Sequence, residues 1–549
     1  MALLFSAQVG IIVLTYREKK LMASIVRQKV GNHTYLYESI SFRNKEGKPR
    51  NRRVSIGKID KKTGSPVYKQ EYIDRMKAKG IIVESAECSP VYSVEDIRRS
   101  TVLQTGMVHL LDGIAESIGL TSVLRQTFPF LHEQIFAVAA FILSCGEPVA
   151  YCADWMKRTD FKNNELLSSQ RISELLQDIT DEERQRFFKA WSAYRIDREY
   201  LALDITSISS WSKLIDDVEW GYNRDGDKLA QINLCMLLGY QSRLPVRMTV
   251  YNGSIKDVST LETTIAQMAP DELKQIMLVM DKGFSSRKNI NMLLERKGVR
   301  FLLALPLTLG FTKKMIKSEC KDIDSIQNTI VCGADTLRGV SLERSWSKEQ
   351  KLFVHVFYND LKATAVKNQL YGNVRRLVEE AQINPDNGKL KNEFEHYLII
   401  RKSAKHESGY TINIRDDVIA QELANAGWLV TVSNQIQDAG EAIRIYRDKD
   451  VVEKGFLRMK HSLGLKRLRV HSQQAMESKV FVGFIALILC SHLHRIMLEN
   501  GLYKTMTMKD LIKTMEKLRT QVIDGRRILF PLTKRQKEIY KAFAVPMPV

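Results

Sequence analysis

Apolar and polar positions change rhythm several times along the chain, and each change predicts a different kind of element. Between 33 and 60, HTYLYESISF and RRVSIGKID alternate apolar with polar and flank the turn-rich NKEGKPRN, the pattern of short strands joined by a bend. From about 95 to 195 the spacing turns helical in VHLLDGIAESIGL, EQIFAVAAFIL and RISELLQDI, with Ser169 or Asp178 as helix-starting caps. At 200 the runs shorten to strand length: YLALDITSIS, LAQINLCMLLG, LPVRMTVYNG, QIMLVMDKGF and RFLLALPL. The helix-patterned VSTLETTIAQMA precedes the fourth run, and SSRKNINMLLERKG separates the fourth from the fifth.

Three strands, a helix, a strand, a helix and a strand is the order of a ribonuclease-H-like α/β sheet. Its interior strands are covered on both faces and therefore read as nearly continuous apolar runs. Residues 308–425 interrupt the order with charge-rich sequence, in which KLFVHVFYN and FEHYLIIRK look like strands and PDNGK like a turn, so an inserted β-rich subdomain is expected. The strand pattern returns in AGWLVTVSN, then GEAIRIYRDKDVVEKGFLRMKHSL reads as one long helix and SKVFVGFIALILCSHLHRIML as a core helix flanked by charge. The expected organisation is a basic β-hairpin region (1–95), a helical domain (96–198), the core in two parts (199–307 and 426–500) around the insertion, and a basic C-terminal tail (501–549). The hairpin region and the helical domain are the candidates for DNA contact.

Composition narrows the class. At 549 residues with 44% hydrophobic and 27% charged positions the chain is ordinary for a folded multidomain protein. A net charge of +20 favours a polyanionic partner, and the excess is clustered: residues 41–70 carry ten Lys or Arg against Glu46 and Asp60. Seven cysteines without a CxxC pair fit a reducing cytosol, and His492 and His494, two apart on a helix, point to different faces and so read as structural. No apolar run reaches the roughly 20 residues of a membrane span, and Met22 opens a stretch that reads like an ordinary start, which makes the first 21 residues a possible over-extension.

Three acids stand out. Asp204 lies inside the apolar YLALDITS, where an uncompensated carboxylate is costly, and it reads either as a turn residue paired with Thr206 or Ser207 or as a ligand. Asp281 closes IMLVMD, at the C-terminal strand end where ligands of open α/β sheets collect. Glu453 shares a helical face with Tyr446, Lys449 and Lys460. Taken singly, each has a bland structural reading; together, three hard oxygen donors in a basic chain suit Mg²⁺ and phosphodiester displacement.

At these residues the sequence resembles the DDE superfamily of bacterial insertion-sequence transposases, in the group whose glutamate lies in the signature Y-x2-R-x3-E-x6-K. Tyr446, Lys449, Glu453 and Lys460 fill it, with lysine where arginine is usual, which keeps the charge and loses the planar fork. LALDITSIS looks like the family's Asp-x-Thr strand, and Asp281-Lys-Gly-Phe like its Asp-Arg-Gly-Phe segment. The 172 residues from Asp281 to Glu453 match the family's habit of a β-strand insertion there.

The resemblance implies catalytic and metal-binding roles for Asp204, Asp281 and Glu453 around two Mg²⁺ ions, with Mn²⁺ as a substitute, and phosphate contacts from Tyr446, Lys449 and Lys460. It implies binding of terminal inverted repeats, cut-and-paste cleavage and strand transfer on double-stranded DNA, a homodimer in the DNA complex, no membrane partner and a cytoplasmic, nucleoid-associated location. Trp428 reads as a core residue or as a platform for an extruded base. The alternatives are a metal-dependent nuclease of the same fold and an inactive DNA-binding remnant.

Overall fold

The computed structural model describes residues 23–31, 33–44, 47–60, 64–78, 94–161, 165–193, 199–268, 276–319, 322–333, 335–403, 409–523 and 525–548. The first 21 residues, Cys88 and Cys320 lie outside them. The chain forms two compact units, one of residues 1–101 with 523–526 and one of the remainder.

The first unit is an antiparallel meander of four strands, Ala23–Val30, His33–Arg43, Pro49–Ile59 and Pro66–Tyr68, followed by the helix Gln70–Lys77. Leu36 and Ile56 of the central strands pack against Tyr72 and Met76 of the helix as a small core. Gly57 allows the last strand to close in, since a Cβ there would lie 2.3 Å from the Val67 carbonyl oxygen. Arg50, Arg52 and Arg53 stand exposed on the third strand, where the hairpin was expected to concentrate its charge.

The second unit is built on a nine-stranded mixed sheet. Its strands are β1 (Leu201–Ser209), β2 (Gln231–Gly239), β3 (Pro245–Asn252), β4 (Met277–Met280), β5 (Arg300–Leu305), β6 (Thr329–Cys332), β7 (Asp335–Ser345), β8 (Lys351–Tyr358) and β9 (Trp428–Ser433). They lie in the order β6-β7-β8-β9-β5-β4-β1-β2-β3. β1, β2 and β3 pair antiparallel, whereas β4 runs parallel to both β1 and β5. Side chains of β1 alternate between two cores: Leu203 and Ile205 face the core shared with Leu261, Ile265 and Leu293, while Ala202 and Ile208 face the larger core that holds Val452, Phe456 and Phe481. Asp204, falling between them in the alternation, belongs to the second face.

That larger core centres on the helix Gln473–Glu499. It is the one described single helix long and apolar enough to cross a membrane, yet 83% of its apolar window is buried within the protein. Phe481 meets Phe128, Phe187 and Phe188 with ring centroids between 5.2 and 5.9 Å, so the helix packs as the interior of a bundle.

Four expectations need correction. Residues 308–425 hold five described strands but not a separate β-rich subdomain: β6, β7 and β8 extend the main sheet, Leu398–Lys402, within the strand-like FEHYLIIRK, pairs with Tyr410–Ile414 alone, and the remainder is led by the helix Asp360–Ile383, whose Leu370, Val374, Leu377 and Ala381 fall on one buried stripe. Residues 501–549 are not a tail, because Leu511, Met515, Ile539 and Tyr540 join the larger core with no exposure. The long helix after β9 divides into Ala439–Asp448 and Asp450–Leu457 and ends in a π-helical turn, Arg458–Ser462. Its neighbours in the helical domain start one or two positions from the expected caps: Ser168 caps Ser169–Asp178 and Thr180 caps Asp181–Ser192, each side-chain oxygen accepting a backbone N–H.

Candidate active site

Parallel pairing of β1 with β4 aligns Leu203 with Met280. The next residues, Asp204 and Asp281, therefore stand side by side on neighbouring strands, with backbones about 5 Å apart. The chain supplies this juxtaposition simply: each acid follows an apolar run that fixes its strand, and both occupy the first position past the last shared register pair. Asp281 also ends its strand, and its Oδ1 caps the turn Lys282–Phe284 by accepting the Lys282 N–H at 2.7 Å. Gly283 keeps that turn close to a neighbouring acid, since a Cβ there would lie 2.8 Å from Asp257 Oδ2.

The helix pair after β9 covers this point. Val452 and Phe456 seat Asp450–Leu457 on the sheet face that carries Asp204, which turns Lys449 and Glu453 toward the acids. Lys449 is 6% exposed and its Nζ donates to Glu453 Oε1 at 2.9 Å. One turn earlier, the Tyr446 hydroxyl donates to Asp281 Oδ1 at 2.9 Å. Five of the six sequence-selected residues, Asp204, Asp281, Tyr446, Lys449 and Glu453, thus form one electrostatically linked group.

The linkage shows in the ionisation equilibria. Burial pushes the Asp204 carboxyl up from 3.8 to about 6; the Lys449 ammonium and the Ile205 N–H oppose this, and the charges of Asp281 and Glu453 add to it. For Lys449 burial is the largest single influence and acts downward, but Asp204, Asp281 and Glu453 together carry its ammonium above the usual lysine value. Burial, then the adjacent Asp281, raises the Tyr446 phenol well beyond its ordinary range, so it serves as a hydrogen-bond donor. The turn-residue reading of Asp204 does not hold for Ser207, whose hydroxyl turns to the Tyr222 carbonyl and the Asn233 side chain.

Lys460 goes elsewhere. Its Nζ sits 2.8 Å from both oxygens of Asp225, and the lysine is only 5% exposed. Two regular helical turns would have kept it in line with Glu453. Here the helix ends in a π-helical turn, closed by the Leu463 N–H donating to the Arg458 carbonyl, and Lys460 pairs with Asp225 instead. The segment Ser210–Ala230 that Lys460 holds is further tied down by ion pairing of Arg224 with Asp257 and of Arg467 with Asp227. None of these ties was evident in the spacing of the sequence, since they join segments far apart in the chain.

Among the described residues, no three His, Cys, Asp or Glu side chains lie close enough to hold a metal ion as they stand. Hydrogen bonds engage Asp281 Oδ1 with Tyr446 and Glu453 Oε1 with Lys449. In kind, however, the donors fit a hard divalent cation: three carboxylates, one of them raised chiefly by burial and further by the charges of the other two, balanced by one buried ammonium.

Asp281 and Glu453 open onto a cavity of about 600 Å³, which Tyr446 and Lys449 line beside them and Asn359, Lys362 and Trp428 also line. Trp428 is half-buried and packs on Tyr358, ring centroids 4.8 Å apart. It therefore belongs to the sheet and at the same time presents part of its surface to the cavity. Asn359 and Lys362 carried no signal in the sequence, because their relation to the acids exists only after β8 and β9 pair.

Comparison with known proteins bears on this arrangement. No curated protein matches the sequence. One solved structure similar to the chain is a cryo-electron-microscopy structure of the piggyBac transposase synaptic complex with hairpin DNA, at 9% identity and a TM-score of 0.34 over 80% of this chain and 77% of that one. The family model described as the transposase DDE domain matches residues 195–489, more than half of the chain and the whole stretch from β1 to the core helix. The chain belongs to the transposase DDE domain family.

Proposed function

We propose that this transposase serves an insertion sequence, recognising terminal inverted repeats and carrying out cut-and-paste cleavage and strand transfer with Asp204, Asp281 and Glu453 as its catalytic acids. One observation carries the assignment: two carboxylates enter side by side at the end of the shared β1 and β4 register, and a third on the covering helix is close enough to act on the same proton equilibrium. The order β3-β2-β1-β4-β5, with the first three strands antiparallel and the last two parallel to β1, supports a ribonuclease-H-like core.

In this reading the three carboxylates hold two Mg²⁺ or Mn²⁺ ions, which when bound stabilise charge on the phosphate and lower the barrier to attack by water or a 3′ hydroxyl. The protein's own groups do the rest. The Tyr446 hydroxyl fixes the rotation of the Asp281 carboxylate. Lys449 balances the acids, and its ammonium would meet a backbone phosphate of bound DNA, a role its position in the cavity lining supports. Burial of Asp204 thins the water around the reacting atoms and strengthens every charge interaction there. Arg50, Arg52 and Arg53 add a cationic strip for duplex backbone, and a homodimer holds two element ends.

The test is incubation with Mg²⁺ and duplexes cut from the DNA bordering this reading frame. Cleaved ends together with joined products support the transposition reading. Hydrolysed ends without joining assign a nuclease, and binding without either product assigns an inactive remnant.

A further inference from the structure

The cavity beside the acids contains a polar group that the chemistry above does not use. Asn359 is 6% exposed, and it caps the 24-residue helix Asp360–Ile383 by accepting the Lys362 N–H on Oδ1 at 2.8 Å. Its side chain lines the cavity, and its Nδ2 is buried in that wall with no hydrogen-bond partner. A buried amide donor left unmade is costly and rare, and at a cavity wall it marks the place of an acceptor supplied from outside.

The amide cannot easily turn away. The Asn359 N–H donates to the Gly427 carbonyl at 2.9 Å, and Gly427, at φ +81°, is so close that a Cβ there would lie 2.7 Å from the Asn359 carbonyl oxygen. The pairing of Tyr358 with Trp428 holds the same point from the sheet side. The donor is therefore fixed by backbone at the adjoining ends of β8 and β9 and by its own cap.

Charge identifies the ligand. Each acid lining the cavity already has a partner: Asp281 has Tyr446, Glu453 has Lys449, Asp450 has Lys454, and Glu422 has His396 and Tyr397. Asp360, in the first turn of the helix, is ion-paired with Arg338. What remains on the Asn359 wall is a donor, the exposed Lys362 one turn on, and the positive end of a long helix, a combination that binds an anionic oxygen. An Asn reading adenine needs both its donor and its acceptor, and here the acceptor is engaged by the cap.

We propose that Asn359 Nδ2, Lys362 and the first turn of Asp360–Ile383 hold a phosphodiester of the DNA strand next to the one that is cut. The site deepens the transposase reading and rests on it. It fixes the strand at a second phosphate, so that the scissile one is delivered to the acids in register rather than by base sequence.

Asn359→Asp tests this, because aspartate keeps the helix cap and replaces the donor with a negative acceptor. Binding of a fluorescent duplex from the flanking DNA is measured in Ca²⁺, together with a series of duplexes in which single phosphates are made neutral methylphosphonates. The expected result is an unchanged unfolding midpoint and a loss of affinity of about tenfold. One methylphosphonate position should weaken wild type and leave Asn359→Asp unaffected. Lys362→Ala should lower the salt slope by about one counterion. Equal affinity of Asn359→Asp and wild type, or equal losses at every methylphosphonate position, overturns the inference and leaves the transposase reading standing. Failure of wild type to bind or cut any flanking duplex overturns that reading, and this inference with it.

Discussion

The hydroxyl of Tyr446 donates to Asp281 Oδ1 at 2.9 Å, joining residues 165 positions apart in the chain. The bond sets the rotation of a carboxylate that lines the cavity. Tyr446→Phe should leave the fold intact and slow Mg²⁺-dependent strand cleavage by about 10- to 100-fold, the usual cost of losing a group that orients a ligand. Single-turnover cleavage at saturating DNA measures it, and a rate equal to wild type would remove Tyr446 from the site.

Asp204 gives stability a pH signature. Its carboxyl is raised in the fold from 3.8 to about 6, roughly two units and so about 3 kcal/mol. For a raised acid the folded state binds the proton more tightly than the unfolded one, so this contribution is present at low pH and is lost as pH climbs through about 6. Asp204→Asn should therefore be more stable than wild type at pH near 8 without divalent ions, with the gap closing toward pH near 4. Urea unfolding at both ends of that window decides, and a constant gap contradicts the burial argument.

Lys449 is the buried counter-charge. Its raised ionisation means the benefit is fully present below the ordinary lysine value and disappears only as pH rises through the higher folded one, so across the neutral range it is constant. Lys449→Met should cost about 1–3 kcal/mol, because the largely buried Asp204 loses a nearby cation and the half-exposed Glu453 its hydrogen-bonded partner. Added Mg²⁺ should recover part of the loss. Equal unfolding midpoints for wild type and variant in the absence of divalent ions would exclude the role.

Lys460 and Asp225 form the tie that positions the segment after β1. Lys460→Met and Asp225→Asn should each destabilise, and in a double-mutant cycle they should couple by about 1–3 kcal/mol. The salt slope of DNA binding should barely move, because the ammonium is buried against its partner. A slope reduced by one counterion with unchanged stability would instead place Lys460 on DNA.

How far the sequence disclosed this site depends on the kind of relation involved. Tyr446, Lys449 and Glu453 were legible because helical spacing is local, and Asp204 and Asp281 because each closes or interrupts an apolar run. Lys460 was not, since its partner Asp225 lies 235 positions away in the chain and meets it only once the fold has formed. The insertion was misjudged for a similar reason: KLFVHVFYN does form a strand, but it joins the main sheet, and the helix Asp360–Ile383 carries its apolar stripe beneath a run of charged residues. Asn359 is invisible in one dimension, because a missing hydrogen bond is a property of the packed cavity.

The central claim is that Asp204, Asp281 and Glu453 act as one catalytic group. Mg²⁺-dependent cleavage of flanking duplexes by Asp204→Asn, Asp281→Asn and Glu453→Gln, each with DNA binding confirmed, tests it most directly. Loss of cleavage in all three with binding retained is the predicted result. Wild-type cleavage by any one of them would contradict the assignment.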